Sequence, residues 1–358
     1  MDTPSLTKSQ KIELLSIKED TEFYRELILQ LSSYSSSNVL IFGLFPYVSL
    51  YVEETFNYVQ RTFPSVAGSL SPKYGNVIKS SRMRVKFFDD SKKRIDGMFE
   101  LLAWISEFNT EWHIHKHKGF LSPLKRMLQK DLGLFGYNGH LFGSTHVGLL
   151  NVGYEEGDLP TNSKEISETL GKSMFFLSKE MGSYIGKLSD LFGVEMENAS
   201  IKFFDYRIDD ELLGYRDEKS FKFFRSVFNG TGTEDLNFTL VYFLVTVNYF
   251  QHILKHTISG SPPTLFKIKF ITLYHLASSL KKLQNYFYPK NVLTERSKKY
   301  LKELLRDGDL KLLGGQSDFR NILVHYGLDG FPSGNIDTTL TLPKKGQAAP
   351  KVAQLDIM

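Results

Sequence analysis

The segment GGQSDFRNILVHYGLDGF, residues 314–331, gathers Arg320, Asn321 and His325 into six positions. Gly-Gly precedes them, and Gly327, Gly330 and Pro332 follow. Ser317 or Asp318 is suited to cap a helix start, because a side-chain oxygen there can accept from free backbone N–H groups. Gly327 is suited to end the helix in a left-handed conformation. The spacing predicts a helix of at most three turns, anchored by Phe319, Ile322 and Leu323 or Val324. Asn321 and His325 are four apart and share a face. Arg320 has a side chain long enough to fold toward the same cleft.

The residues upstream carry helical spacing. Residues 235–258 hold a long apolar run. SGSPP, residues 259–263, breaks it. The next helix spans about 264–287, with Phe266, Leu273, Leu276, Leu280, Leu283 and Phe287 recurring every three, four or seven residues. Thr294 is a good N-cap for a third helix ending near Leu305. RDGDLKLLGGQ, residues 306–316, reads as a link to the opening segment. FNGTGTED, residues 228–235, reads as a turn, a helix start and a domain boundary.

The region before it also reads as helix-rich. Helices are expected over 8–34, over about Pro46–Phe63, and over Lys92–Phe108 with Ile95, Met98, Phe99, Leu102 and Ile105 on one stripe. A long amphipathic helix is expected over Ser163–Leu191, where Ile166, Leu170, Met174, Leu177, Met181, Ile185 and Leu188 form a core stripe. Residues 133–157 are glycine-rich and predict irregular structure with room for a short hairpin. They lack the GKS or GKT of a phosphate-binding loop. Residues 201–220 give no clear pattern. The expected class is therefore mainly α, with a helix-rich region over 1–230, a helical bundle over 235–328 and a flexible tail over 332–358.

Composition narrows the chemistry. The 358 residues are 41% hydrophobic and 23% charged, a globular balance. There is no cysteine, which excludes disulfides, thiolate metal sites and cysteine nucleophiles. The polar N-terminus reads as intracellular, here cytoplasmic. Leu236–Leu254 lacks acidic and basic side chains and has the length of a membrane span. Asn237, Thr239, Thr246, Asn248, Gln251 and His252 interrupt it, so it reads as a helix buried in a bundle, with no membrane partner. From Lys255 to His325 thirteen Lys/Arg face five Asp/Glu, a balance of +8. The net charge of +4 leaves −4 for the rest. A basic region of this kind favours phosphate-bearing partners.

An imidazole can move a proton near neutral pH. A guanidinium can grip a phosphate through two parallel hydrogen bonds. With an amide beside them, the three suit metal-independent attack of a ribose 2′-hydroxyl on the adjacent RNA phosphate. Ordinary helix-terminal hydrogen bonds would use the same residues. Two other groupings compete. His113, His115 and His117 could ligate zinc or nickel from a strand, although Lys116 and Lys118 would repel a cation. Asp89-Asp90 and Asp209-Asp210-Glu211 read as solvated turns.

Arg320-Asn321-Ile-Leu-Val-His325 resembles the signature of the HEPN superfamily, an Arg followed after four to six residues by His, with a polar residue after the Arg. The three helices before it resemble that family's antiparallel bundle. The resemblance spans about 235–328. It implies a metal-independent RNA endonuclease without cofactor, acting as a homodimer that brings two motifs to one cleft. Toxin–antitoxin systems, abortive infection and other antiviral defence are the settings it implies, with an antitoxin or regulatory partner. Arg320 would hold the scissile phosphate, His325 would act as general acid/base, and Asn321 would support them. Some members bind RNA or nucleotides without cutting. In one subgroup a tyrosine two positions after the His is a modification target; here Gly327 stands there, and Tyr326 follows His325 directly.

Overall fold

The computed structural model describes residues 6–32, 37–71, 75–88, 95–115, 130–153, 163–193, 208–230, 232–259, 262–290 and 293–327. The fold is mainly α. Its helices are α1 (Lys8–Ser32), α2 (Ser37–Thr62), α3 (Pro64–Leu70), α4 (Gly75–Met83) and α5 (Ile95–His115). After a hairpin come α6 (Thr145–Val152) and α7 (Ser163–Leu191). The last third carries α8 (Ser220–Ser226), α9 (Glu234–Asn248), α10 (Pro263–Phe287), α11 (Glu295–Leu304), α12 (Gly308–Gly314) and α13 (Ser317–His325).

Most expected helices appear, with shifted ends. α2 begins nine residues before Pro46, which lies inside it. α5 runs on to His115. α7 keeps its expected bounds, and Leu177, Met181, Ile185 and Leu188 of its stripe are buried. The side chains of Ile166, Leu170 and Met174 lie outside the described residues. Residues 306–316, expected as a link, contain α12, which Asp307 caps by accepting from the backbone N–H groups of Asp309 and Leu310. α9 continues through a π-helical stretch, Tyr249–Leu254, into a last turn at Lys255–Thr257. The wider turns there aim Tyr249, Phe250, Ile253 and Leu254 into the core. Among the described residues no helix is long and apolar enough to cross a membrane.

In the glycine-rich stretch α6, capped by Ser144, stands in place of the expected irregular structure. The part before it is a hairpin of β1 (Leu132–Tyr137) and β2 (His140–Ser144). Its two-residue turn, Asn138-Gly139, takes φ of 48° and 79°. Both residue types tolerate the left-handed region, which matches the twist of a tight hairpin. β3 (Leu213–Glu218) pairs antiparallel with β1, giving the order β2-β1-β3. Asp209 caps the turn before β3 by accepting from Glu211 N at 3.0 Å, so this acidic run shapes backbone.

Two apolar clusters hold the chain together, and both cross the turn at 228–235. One joins Ile17, Phe23 and Leu27 of α1 and Tyr47, Val48 and Tyr51 of α2 to Leu265, Ile268 and Ile271 of α10 and Val324 of α13. The other joins Met98, Leu102 and Ile105 of α5 to Phe238, Val241 and Val245 of α9 and to Leu276, Leu283 and Phe287 of α10. The first half of α10 serves one cluster and the second half the other. Residues 332–358, expected as a tail, lie outside the described residues.

Candidate functional site

The opening motif forms α13 across Ser317–His325. Gln316 occupies the cap position without a side-chain cap bond, while Ser317 Oγ donates to Asp318 Oδ1 at 3.4 Å. The helix ends one residue earlier than Gly327 would end it. Tyr326 takes the left-handed conformation at φ 51°, and its N–H donates to Ile322 O. Left-handed backbone is unfavourable for a large side chain. Here the side chain is anchored: its hydroxyl donates to Asp20 Oδ2, and Lys267 Nζ lies 3.6 Å from the ring centre.

α13 docks on α10 through Phe319, whose ring lies 5.0 Å from that of Phe270. This sets the three motif side chains on different surroundings. The Arg320 guanidinium carbon lies 5.4 Å from the Tyr274 ring on α10. Arg320 Nε is buried and without a hydrogen-bond partner among the described residues. Asn321 is exposed. His325 turns to α2, where its Nδ1 lies 2.7 Å from Glu54 Oε2. Arg320 and His325 are five residues apart, about 140° around a helix, so one helix cannot aim both the same way. No hydrogen bond joins any two of the three among the described residues.

Glu54 is the residue that sequence reading missed. Its carboxylate is 5% exposed, whereas the His325 side chain is 44% exposed. The other carboxylate oxygen accepts from Arg82 Nη1 on α4. An ionised carboxylate can only accept, so His325 Nδ1 carries the proton and a neutral ring leaves Nε2 with its lone pair. Arg61 is also close: a Cβ built on Gly327 would lie 3.9 Å from its Nη2. The exposed imidazole is thus buttressed by one buried carboxylate, with two guanidinium groups nearby. No periodicity signals Glu54, because it pairs across 271 residues.

A second polar cluster underlies the first. Asp20 of α1 is 3% exposed. It accepts from Thr264 Oγ1 at 2.6 Å, from Lys267 Nζ at 2.7 Å and from the Tyr326 hydroxyl. Burial pushes Lys267 below the usual lysine range, and the Asp20 carboxylate opposes that shift. Burial first, and Asp20 second, hold the Tyr326 phenol well above its ordinary value. The adjoining cavity, lined by Tyr24, Tyr47, Lys267 and Tyr326, measures about 10 Å³, room for a single water. The cluster is a structural tie beneath His325. It keeps the Tyr326 hydroxyl engaged and out of solvent.

Among the described residues no group of three or more His, Asp or Glu is placed to hold a metal. His113 and His115 fall on α5, but their side chains, and all of His117, lie outside the described residues. Asp89 and Asp90 also lie outside them. No protein-family model, curated protein or solved structure matched the chain.

Proposed function

We propose that the chain is a metal-independent RNA endonuclease of the HEPN type, with His325 as its proton-transfer group. The observation that carries this reading is an exposed imidazole held through Nδ1 by the buried Glu54. That contact fixes ring orientation and tautomer, and turns Nε2 outward as a base. His325 would take the proton of a ribose 2′-hydroxyl as its oxygen attacks the adjacent phosphorus. The bond to the 5′-oxygen then breaks, and a proton returns to that oxygen. The products are a 2′,3′-cyclic phosphate and a 5′-hydroxyl. Arg320 would grip the phosphate, Asn321 would support it, and the guanidinium groups of Arg61 and Arg82 add positive potential beside the ring. A homodimer would bring the Arg320 of one copy toward the His325 of the other. Such an enzyme suits a toxin or phage-defence effector restrained by a partner.

The test incubates the protein with mixed RNA in EDTA, beside His325→Ala and Arg320→Ala. Cleavage by the parent alone, with cyclic phosphate ends, supports the reading. Equal cleavage by parent and variants overturns the site.

One observation favours a second reading, a module that binds RNA, a nucleotide or a protein partner without cutting. Arg320 is engaged with Tyr274 while His325 faces Glu54, so within one chain the two do not converge. Saturable, salt-sensitive RNA binding with no cleavage at any protein concentration would select it.

A further inference from the structure

α11 is an unusual helix for a packed chain: none of its residues is buried. It follows the C-terminal end of α10, and together the two carry exposed aromatic rings among cations. Tyr288 is 60% exposed and Tyr300 is 65% exposed. Lys290 Nζ lies 3.4 Å from the Tyr286 ring centre, and Lys298 Nζ lies 5.7 Å from that of Tyr288. Residues 281–306 hold eight Lys/Arg against two Asp/Glu, a net +6. The two acidic side chains, Glu295 and Glu303, are within ion-pair range of Lys298 and Lys299. Arg296 and Lys302 are exposed and make no ion pair among the described residues.

Lysine is depleted at the centres of protein–protein interfaces, which argues against a protein partner here. Exposed tyrosines set among unpaired cations are instead the composition that binds single-stranded nucleic acid. Each base offers a face to stack on a ring, and each phosphate offers a charge to a Lys or Arg. Tyr288 lies fourteen residues beyond Tyr274 on the same helix direction, on the order of 20 Å along the axis. A strand seated on this surface could therefore continue along α10 toward Arg320.

Lys302 lies one turn beyond Lys298 on α11, so both face the side of Tyr288, whereas Arg296 and Tyr300 lie on the opposite side of that helix. We propose that Tyr288, with Lys290, Lys298 and Lys302, forms a seat for single-stranded RNA that holds the substrate beside the cleavage site. This deepens the endonuclease reading and rests on it for the choice of RNA.

The experiment uses a fully 2′-O-methylated single-stranded RNA oligonucleotide, which lacks the attacking hydroxyl and cannot be cut by the proposed route. Its binding to the full chain is read by fluorescence anisotropy at several salt concentrations. Tyr288→Ala should weaken binding about five- to a hundredfold, since base–aromatic stacking is lost, whereas Tyr300→Ala, on the far side of α11, should bind like the parent. Tyr288→Phe should also bind like the parent. Lys302→Gln should make the slope of log affinity against log salt shallower by about 0.7. Unchanged affinity in Tyr288→Ala, or a Tyr288→Phe variant as weak as Tyr288→Ala, would overturn the seat. Because the probe is uncuttable, a chain that cleaves no RNA yet shows these losses keeps the seat and loses only the endonuclease reading.

Discussion

His325 Nδ1 donates to the Glu54 carboxylate at 2.7 Å, and the same carboxylate holds Arg82 with its other oxygen. One buried acid on α2 thereby fixes a ring on α13 and a cation on α4. Replacing it separates orientation from stability. On the proposed endonuclease reading, Glu54→Gln should reduce RNA cleavage by about a hundredfold or more, the scale of a misaligned general base. Glu54→Ala should in addition lower stability by roughly 1–3 kcal/mol, since the polar groups of Arg82 lose their acceptor in a mostly buried place. Cleavage rates and urea denaturation of both variants check this; full activity in Glu54→Gln would remove Glu54 from the site.

The pairing of Asp20 with Lys267 predicts a lopsided response to mutation. Asp20→Asn leaves a buried ammonium facing an uncharged amide and should cost about 3–5 kcal/mol. Tyr326→Phe deletes one hydroxyl from the same acceptor and should cost roughly 1–3 kcal/mol, because hydrogen bonds to charged groups are the stronger kind. Replacing both ions, Asp20→Asn with Lys267→Met, should recover part of the loss. Chemical denaturation of the three variants tests the order.

His252 gives a pH prediction. Its ring stacks on His140 with centres 3.8 Å apart and 7° between planes. Burial, then the nearby His140, His256 and Lys255, hold its proton affinity below the ordinary histidine value. The folded state therefore binds the proton less well than the unfolded chain does. The stability from this pair is present above about pH 6.5 and is lost as pH falls through the depressed value. The thermal midpoint should drop between pH 7.5 and pH 5.5, and His252→Gln should flatten that drop. An identical pH response in the variant would show that His252 is not the source of the drop.

Gly153 ends α6 at φ 84°, and a Cβ there would lie 2.2 Å from Ser81 N. Both the conformation and the space require glycine. Gly153→Ala should destabilise by roughly 2 kcal/mol or more. Because Ser81 precedes Arg82 on α4, the push would also disturb the Arg82–Glu54 contact. Calorimetry gives the first effect, and RNA cleavage by the folded fraction gives the second.

Periodicity made the helices legible. The second half of the α7 stripe, from Leu177 to Leu188, and the Thr294 cap are local signals, and each sits where its spacing put it. The hairpin had a readable signal in Asn138-Gly139, a dipeptide suited to a two-residue turn. The helix end was harder, because a glycine at 327 is a stronger local cue than a tyrosine at 326. The distant Asp20 and Lys267 together hold the Tyr326 side chain in the strained position. The site divides along the same line. Arg320, Asn321 and His325 stand out as neighbours in sequence, but Glu54, Arg82 and Arg61 belong to α2 and α4 and meet them only through packing. Arg320, expected to fold toward the cleft of His325, instead lies against Tyr274, because a five-residue step turns about 140° around a helix.

The Asp20–Tyr326 contact spans 306 residues. At about 5–20 residues per second, roughly 15–60 s of synthesis separate the two ends of that bond. During that interval α1 carries an acid that has yet to meet the phenol, and Glu54 waits for an imidazole not yet made. The candidate site therefore cannot assemble before residues 320–325 are made, and a nascent chain short of them carries Asp20 and Glu54 but none of the motif they support.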